Sequence, residues 1–344
     1  MKTKDLDFNL PVDLLAREPR EIRGESRDEA HLLVMKRKTA EVEHSRFKLI
    51  GNYLAPGDLL VLNDSKTINA LLYGWYDGKS RIEVRLCSGK EKDIWHCTLR
   101  PSRKVQIGSE ISFGDGDVIA KVVDRRKDIP DLWVLQFSYN GDFYEKIEKI
   151  GRPVLSPYVS KKWSLDYYQT VYAKKEGSAE MPAAGRHFTP ELLATLKERG
   201  INHVFITLHT GLSSINISEE YFEQHKMYEE EYEIDESTAE AINTTRENKG
   251  RIVAVGTTVT RTLETNADNK GFVEPKRGWT NLYIYPGYKW KIVDILVTNF
   301  HGPRTSRIAL AVAFTGKDLL MRGYREAIEK GYKFYEFGDT TITV

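Results

Sequence analysis

Five short apolar runs in the C-terminal half of the chain each end in a cluster of polar residues. The clusters contain histidine, asparagine, threonine and aspartate, which can exchange protons or bind polar ligands. The runs are residues 204–208, 252–255, 282–284, 292–297 and 334–337. In α/β folds, ligands collect at the C-terminal ends of strands, because the following loops shape a pocket there. The runs therefore predict five strands whose ends build one shared site.

The candidate acids and bases are three histidines and two aspartates. They are His187, His209, His301, Asp64 and Asp339. Each can act as a general base or acid, although Asp64 also fits an Asx-turn, which aspartate forms readily. His187 follows the small residues 183–185, which let a ligand approach the backbone, and it fits a site role and a structural role equally well.

The spacing of the histidines does not match a zinc site. The chain has no His-x-x-x-His pattern, and its two cysteines, Cys87 and Cys97, both lie in strand-like sequence. Zinc sites combine His and Cys ligands at characteristic short spacings. We therefore predict no metal, and we interpret both cysteines as buried thiols in a reducing cytoplasm.

A glycine turn follows the second apolar run. Gly256, Thr257 and Thr258 open a helical segment, whose free backbone N–H groups can bind a carboxylate or a phosphate. Arg261, one turn further on, can close a bidentate clamp on a carboxylate. The alternative is a plain strand-to-helix turn in which the threonines cap the helix.

Two further segments have alternative interpretations. Residues 166–173 combine tyrosines with polar residues, so they can stack a nucleobase or form an ordinary half-buried strand. Residues 100–104 and 125–127 give a basic strip, which can contact phosphate or form a solvated face.

Two sequence patterns divide the chain. From about residue 70 to 140, runs such as residues 81–86 alternate polar and apolar side chains, as half-buried strands do. Elsewhere strands alternate with helices, which implies at least partly parallel pairing. We predict a mixed α/β (α+β) fold. A barrel-like α/β main domain comprises residues 1–66 and 150–344, and residues 67–149 form an inserted small antiparallel β-barrel domain.

Helix signals accompany this division. Capping residues, first-turn prolines and terminal glycines predict helices at four places, and residues 10–16 are also helix-like. The four segments are residues 189–200, 235–248, 304–314 and 317–330.

The overall composition excludes several classes. The 344 residues include 51 basic and 50 acidic side chains, so the net charge of +1 is no global nucleic-acid signature. No window approaches the roughly 18 apolar residues of a membrane span. The charged N-terminus has no apolar core after it and does not predict a signal peptide.

Nine short stretches occur in the same order in a known enzyme family. They are residues 56–64, 99–101, 168–173, 184–189, 207–209, 225–227, 256–264, 298–301 and 337–339. Through them the chain resembles, over essentially its full length, the S-adenosylmethionine:tRNA ribosyltransferase-isomerases of queuosine biosynthesis. The resemblance implies an α/β barrel-like main domain with an inserted β-barrel domain.

The resemblance also implies a reaction in which S-adenosylmethionine is a co-substrate that donates its ribosyl group. A base removes a proton from the carbon next to the sulfonium, and adenine is expelled. The aminomethyl group of a deazaguanine base in tRNA then attacks the opened sugar, and methionine leaves as an epoxide closes, giving epoxyqueuosine. The implied partners are S-adenosylmethionine and tRNA, without a metal, a redox cofactor or a membrane. The resemblance also suggests a monomer, and the two free thiols predict the cytoplasm.

The family's motifs suggest roles for residues of this chain. Gly256, Thr257, Thr258 and Arg261 would hold the methionine carboxylate. Tyr168, Gln169 and Asn299 would hold the adenosine portion, and Thr170, Tyr172 and Phe300 are further substrate-binding positions. His187, His209 or His301 would move protons, supported by Asp64 or Asp339.

Three segments depart from the family's motifs, namely residues 181–186, 210–216 and 302–307. These departures predict, as an alternative, a paralogue that cleaves S-adenosylmethionine with a small-molecule acceptor or with none. Arg186 would then bind a carboxylate or phosphate of the different acceptor. A third alternative is a catalytically inactive RNA- or nucleotide-binding protein, and the histidines and aspartates at strand ends argue against it.

Overall fold

Eighteen strands and six α-helices form the structure, a computed structural model that describes residues 1–91, 93–126, 131–154, 156, 158–159, 161–211 and 217–344. The strands are β1 (His31–Lys36), β2 (Glu41–Arg46), β3 (Leu59–Asn63), β4 (Ser65–Thr67), β5 (Leu71–Tyr76), β6 (Ser80–Glu91), β7 (Ile94–Arg100), β8 (Glu110–Phe113), β9 (Val118–Arg125), β10 (Leu132–Tyr139), β11 (Gly151–Arg152), β12 (Lys175–Ser178), β13 (Asn202–Leu208), β14 (Glu230–Ile234), β15 (Ile252–Val255), β16 (Lys276–Thr280), β17 (Ile295–Asn299) and β18 (Thr340–Thr343). The helices are α1 (Phe143–Ile150), α2 (Pro190–Glu198), α3 (Glu236–Glu247), α4 (Thr257–Asn266), α5 (Ser306–Thr315) and α6 (Lys317–Glu329).

Nine strands form one mixed sheet in the order β16–β14–β13–β3–β15–β17–β18–β1–β2. Its centre is parallel, because β13, β3, β15 and β17 all run in the same direction. Strands β3, β15 and β17 are buried along their whole lengths, which is why their sequences are continuous apolar runs. Strand β18 runs antiparallel to β17 and parallel to β1.

Alternate residues of the central strands pack against helices on opposite faces of this sheet, since side chains alternate along a strand. Leu59 and Val61 of β3 pack in a cluster with residues of α3, α4 and α5. Leu60 and Leu62 pack on the other face with α2 and with the short 3-10 helix Phe47–Tyr53. The predicted mixed α/β fold class is confirmed.

Side-chain caps begin three of the four predicted helices. Thr189 caps α2, Asp235 caps α3 and Thr305 caps α5, each through an oxygen that accepts a first-turn backbone N–H. Helix α5 begins at Ser306 and not at residue 304 as predicted, because Arg304 has a left-handed φ of 54°. None of the helices among the described residues is long and apolar enough to cross a membrane.

Six antiparallel strands close into a small barrel, as predicted. Their order is β5–β6–β7–β10–β9–β8, and the pairing of β5 with β8 closes the barrel. Its interior is apolar and includes Val84, Phe113 and the free cysteine Cys97. The second free cysteine, Cys87, is also buried. The strands lie within residues 67–149, and these exact domain boundaries remain a prediction.

Two of the predicted secondary-structure elements are wrong. Residues 282–284 do not form a strand, and the carbonyl of Leu282 accepts a hydrogen bond from Arg261 Nε instead of from a neighbouring strand. Residues 10–16 contain only the short 3-10 helix Val12–Leu14.

Candidate functional site

The C-terminal ends of the four central parallel strands meet along one edge of the large sheet. The terminal residues are Leu208, Asn63, Val255 and Asn299, and we call this line the strand-end edge. The candidate residues that lie on it or directly follow it are Asp64, His209, Gly256, Thr257, Thr258, Asn299, Phe300 and His301. Three of the five predicted strand-end clusters therefore come together as expected.

Asp339 also lies at the strand-end edge, although the strand that follows it runs in the opposite direction to β17. Residues 334–337 do not form the predicted strand, because Tyr335 has a positive φ of 74° that ends the extended backbone. Asp339 instead precedes β18, in which Thr340 pairs with Asn299. An antiparallel strand begins where its neighbour ends, so the start of β18 lies at the strand-end edge.

The buried carboxylate of Asp339 is held from several directions. Oδ1 accepts hydrogen bonds from Arg20 Nη2 at 2.7 Å and from the His31 backbone N at 2.8 Å. Oδ2 accepts one from the Lys333 backbone N at 2.8 Å. Burial opposes ionisation, but the hydrogen bonds and the charge of Arg20 hold the pKa of Asp339 below its ordinary 3.8. The analysis of the sequence missed Arg20, because no motif links residues 319 positions apart.

A cleft of about 580 Å³ opens beside Asp339. Its lining carries five arginines and lysines against two glutamates and Asp339, so its net positive charge can receive an anionic group. The lining residues are Arg20, Arg23, Glu25, Glu29, His31, Arg46, Lys48, Gly331, Lys333 and Asp339.

His209 is held by a serine that the analysis of the sequence also missed. Ser65 Oγ lies 2.7 Å from His209 Nδ1. Asn63 places this serine, because its Oδ1 accepts the backbone N–H groups of Ser65 at 3.1 Å and of Leu208 at 3.0 Å. Burial lowers the pKa of His209 from 6.5 to about 4, so the imidazole is neutral at pH 7.

Asp64 is buried at the end of β3. Its Oδ1 accepts a hydrogen bond from Thr207 Oγ1 at 2.6 Å. Burial raises the pKa of Asp64, against the hydrogen bond from Thr207 and the charge of Lys175.

His187 and Asn299 form a second buried contact at the edge. His187 Nε2 lies 3.3 Å from Asn299 Oδ1, and Asn299 Nδ2 donates to the Tyr335 carbonyl at 2.9 Å. His187 Nδ1 has no hydrogen-bond partner among the described residues. Burial, reinforced by the charges of Arg186 and Arg20, lowers the pKa of His187 to about 4.

His301 and Phe300 face different surroundings. His301 Nε2 lies 2.9 Å from Thr298 Oγ1, and burial lowers the pKa of this histidine to about 3. Phe300 is fully buried, with ring centroids 5.0 Å from Tyr324 and 4.9 Å from Phe334. Phe300 therefore belongs to the core behind the edge.

The glycine turn lies against residues 183–187. A β-carbon on Gly256 would lie 3.5 Å from Ala184 Cβ, and Thr258 Oγ1 lies 3.4 Å from Asn63 Nδ2. Helix α4 begins at Thr257 with no side-chain cap, so its first N–H groups are not satisfied in that way.

Arg261 does not point a free guanidinium at this turn. It is buried, pairs with Glu230 and donates to the carbonyls of Leu282 at 2.8 Å and Thr280 at 3.2 Å. Glu230 Oε1 in turn accepts the Gly211 backbone N–H at 3.1 Å. Arg261 is thus connected to the loop after His209 through Glu230.

Gln169 and Arg186 are also engaged within the chain. The Gln169 side chain pairs with both backbone groups of Thr67, at 2.9 and 2.8 Å, in the manner of a neighbouring strand. Arg186 is buried, pairs with Glu21 and donates to the Tyr167 carbonyl at 3.0 Å. Burial lowers the pKa of Arg186 to about 10, so it remains charged at neutral pH.

Five of the thirteen buried polar side-chain atoms without hydrogen-bond partners among the described residues belong to candidate site residues or their sequence neighbours. Buried polar groups are normally paired, so such a group of atoms marks where a polar ligand can bind. The atoms are Tyr168 Oη, Thr170 Oγ1, Tyr172 Oη, His187 Nδ1 and Thr210 Oγ1.

A half-buried acid, Glu336, stands at the same edge and was also missed. Its backbone carbonyl lies 3.5 Å from Asn299 Nδ2. Its carboxylate accepts hydrogen bonds from Tyr158 Oη and from Ser156 Oγ, the latter at 3.0 Å. Burial raises the pKa of Glu336. Its position directly before the Phe337-Gly338-Asp339 stretch was the one available signal.

Fold and site together define a mixed α/β protein with neutral histidines and buried carboxylates at strand ends, beside a closed β-barrel. Within the described ranges, no group of three or more His, Cys, Asp or Glu residues is arranged to hold a metal ion. Of the departing segments, residues 212–216 lie outside the described residues, as does Lys127 of the basic strip.

The chain belongs to the queuosine biosynthesis protein family, whose family model matches residues 3–343. It is 46% identical to the S-adenosylmethionine:tRNA ribosyltransferase-isomerase of Thermoanaerobacter sp. (strain X514), with all of both chains covered. It is 44% identical, again over all of both chains, to the enzyme of the same name from Caldanaerobacter subterraneus subsp. tengcongensis. The crystal structure of S-adenosylmethionine tRNA ribosyltransferase from Thermotoga maritima is 36% identical, with a TM-score of 0.55 and coverage of 99% of this chain and 100% of that one.

Proposed function

We propose that this chain is an S-adenosylmethionine:tRNA ribosyltransferase-isomerase that makes epoxyqueuosine in tRNA. The observation that carries the proposal is the identity of 46% and 44%, over the whole length of both chains, to two enzymes of that name. The substrates are S-adenosylmethionine and a tRNA that carries the aminomethyl-deazaguanine base. The products are the modified tRNA, adenine and methionine.

His209 is the base in this proposal. If Ser65 Oγ accepts the proton of His209 Nδ1, the tautomer is fixed and Nε2 is left as a proton acceptor. His209 is also only partly buried, whereas the side chains of His187 and His301 are enclosed. A neutral imidazole is the form that a base requires, and the lowered pKa of His209 supplies it at pH 7.

The first turn of α4 holds the methionine carboxylate. The N–H groups of Thr257 and Thr258 lie at the positive end of the helix dipole, which attracts an anion. Arg261 supports the site from behind, because its pair with Glu230 holds the Gly211 backbone close to His209. Arg261 is therefore a positioning residue in this account and not a clamp.

The adenosine portion lies near the unpartnered hydroxyl groups. Tyr168, Thr170 and Tyr172 each present a buried polar atom that has no protein partner among the described residues. His187 and Asn299 lie along the same edge and can bind the ribose or the base through the free His187 Nδ1. Gln169 holds β4 in place.

The barrel and the large sheet have different roles in this proposal. We assign residues 67–149 to an inserted domain that contributes to tRNA binding, and residues 1–66 with 150–344 to the catalytic part. The basic cleft beside Asp339 is a place for tRNA phosphate, since counter-charge lines it. The protein acts as a cytoplasmic monomer without a metal.

Residues that depart from the family motifs contact other side chains of the same chain. These contacts do not favour the alternative in which they bind a different acceptor. Arg186 pairs with Glu21, and Arg304 pairs with Asp7. A β-carbon at Gly302 would lie 2.1 Å from Tyr335 Oη, so glycine fits the position that this tyrosine crowds.

The test is incubation of purified protein with S-adenosylmethionine, with and without precursor tRNA, followed by mass spectrometry of adenine and methionine. Release that requires the tRNA supports the proposal. Release without RNA supports the small-acceptor alternative, and no release with any precursor tRNA contradicts both.

A further inference from the structure

Two large aromatic side chains lie exposed on the outer face of the barrel. Tyr73 is 40% exposed and Trp75 is 45% exposed, and both belong to β5. Their neighbours Leu72 and Gly74 face the barrel interior, as strand alternation requires. Aromatic rings on the outside of a closed barrel do not pack in its core, and two of them on the same face of one strand form an exposed patch that can bind a ligand.

Each ring is accompanied by an arginine. The Arg81 guanidinium lies 5.9 Å from the Trp75 ring centroid, and the Arg152 guanidinium lies 5.5 Å from that of Tyr73. Both distances are within the range of cation–π contact. Trp75 is paired with Arg81 across the β5–β6 ladder, which fixes that contact. We call Tyr73, Trp75, Arg81 and Arg152 the aromatic–arginine face.

The charge around this face is mainly positive. Glu83 is opposite Tyr73 on β6, and Arg100 of the basic strip is opposite Glu83 on β7. The turn after Trp75 adds Asp77 and Lys79, whose opposite charges cancel. The arginines therefore outnumber the acids, and the face complements a polyanion.

The face continues to the strand-end edge along β6. Arg85 follows Arg81 and Glu83 on the same side of this strand, about 13 Å further along at 3.3 Å per residue. Arg85 Nη2 donates to Glu180 at 2.6 Å and to the Gly211 carbonyl at 3.0 Å. The loop after His209 is thus in contact with the barrel strand that carries the face.

We propose that the aromatic–arginine face binds the substrate tRNA by stacking unpaired bases on Tyr73 and Trp75 while Arg81 and Arg152 contact the adjoining phosphates. Stacking platforms combined with basic side chains are the usual means of holding single-stranded nucleic acid. The inference rests on the proposed function, which supplies an RNA substrate, and it assigns the surface that holds this RNA outside the catalytic edge.

The test measures the Kd of fluorescently labelled precursor tRNA for the full-length protein. The variant Tyr73→Ala/Trp75→Ala is expected to raise the Kd at least about tenfold, and Arg81→Glu/Arg152→Glu at least as much with a weaker salt dependence. Trp75→Phe retains a stacking surface and is expected to stay within about threefold of the wild type. S-adenosylmethionine affinity should not change in any of these variants.

A matched control lies on the other part of the molecule. Tyr221 is 38% exposed and has Lys2 Nζ 5.7 Å from its ring centroid, so Tyr221→Ala removes a similar pair without touching the barrel. This control is expected to leave the Kd unchanged. An unchanged Kd in both barrel variants overturns the inference, and so does a shift in oligomeric state without a change in Kd, which would assign the face to a second copy of the chain.

The comparison of Kd values among these variants does not depend on catalysis. A wild-type protein that binds tRNA through this face but releases no adenine would refute the proposed reaction and leave the surface assignment intact. A wild-type protein that turns over normally, with barrel variants of unchanged Kd and KM for tRNA, would refute only the surface assignment.

Discussion

Tyr172 Oη occupies the space that a side chain on residue 185 would need, because a β-carbon built on Gly185 would lie 2.0 Å from it. The same hydroxyl group is buried without a hydrogen-bond partner among the described residues. Gly185 lies two residues before His187, in the short 3-10 helix Ala183–His187. The phenol therefore packs directly against the backbone of this segment.

The variant Gly185→Ala is expected to lose stability and activity together. Overpacking of this kind costs about 1–3 kcal/mol, and the displaced segment carries His187. Urea unfolding and adenine release measure the two effects. Adding Tyr172→Phe removes the clashing oxygen and should restore most of the stability.

The matched control for this variant is Gly278→Ala. Its added β-carbon would meet the Tyr232 ring at 3.4 Å or more, an ordinary contact, so we expect little change. If Gly185→Ala and Gly278→Ala unfold alike, Tyr172 does not define the position of the segment.

Replacing the proposed base should slow turnover without weakening binding. His209→Gln is expected to lower kcat about 10²–10⁴-fold, which is the usual contribution of a general base. Ser65→Ala should lower it less, because the imidazole keeps its nitrogen and loses only its orientation. His203→Gln, in the same strand β13, serves as the control and should retain full activity.

The pH dependence of the reaction tests the pKa of His209 separately. The pKa of His209 is about 4, so activity that needs the neutral imidazole should fall only as the pH drops toward 4. An acid limb of kcat/KM near 6.5 would show that a histidine of ordinary pKa limits the reaction, in conflict with the buried environment.

Acid should destabilise the fold through its buried histidines. The folded pKa of His301 is about 3, against an ordinary 6.5, so between these values the unfolded chain binds the proton and the folded chain does not. Stability therefore falls as the pH drops from 6.5 toward 3, by up to about 1.4 kcal/mol per pH unit for this residue. In His301→Gln, the free energy of unfolding should fall by about 2 kcal/mol less between pH 7 and pH 5 than it does in the wild type. An equally steep dependence in the variant would mean that His301 titrates normally.

The Arg20–Asp339 ion pair should contribute strongly to folding. Asp339 is 1% exposed and Arg20 is 6% exposed, so Asp339→Asn leaves a buried charge with less compensation. We expect a loss of about 3–5 kcal/mol in urea unfolding. Asp117→Asn breaks the exposed pair with Lys146 and should cost less than about 1 kcal/mol. Similar losses in both variants would contradict the importance of burial at Asp339.

Much of the fold could be predicted from the sequence, because its strongest patterns are local. Residues 252–255 and 292–297 are apolar enough to indicate buried parallel strands, and Thr189 and Asp235 carry the cap signals of their helices. Residues 334–337 misled the prediction, because an apolar composition does not reveal the left-handed backbone of Tyr335.

The candidate site was predictable in its location and less so in its contacts. The strand ends place His209 and Asn299 on one edge, as expected from parallel pairing. The partners that define each role come from distant parts of the chain. No local sequence signal indicates that Glu230 forms an ion pair with Arg261. The guanidinium that was predicted to clamp a carboxylate ligand is therefore bound to Glu230 of the same chain.

The most direct test of the account is the stoichiometry of a single reaction. Wild-type protein is incubated with S-adenosylmethionine and precursor tRNA, the tRNA is digested to nucleosides, and epoxyqueuosine, adenine and methionine are quantified together by mass spectrometry. The account predicts that the three products appear in equal amounts and that His209→Gln slows all three alike. Adenine and methionine in excess of epoxyqueuosine, or formed while the tRNA base stays unmodified, would contradict it.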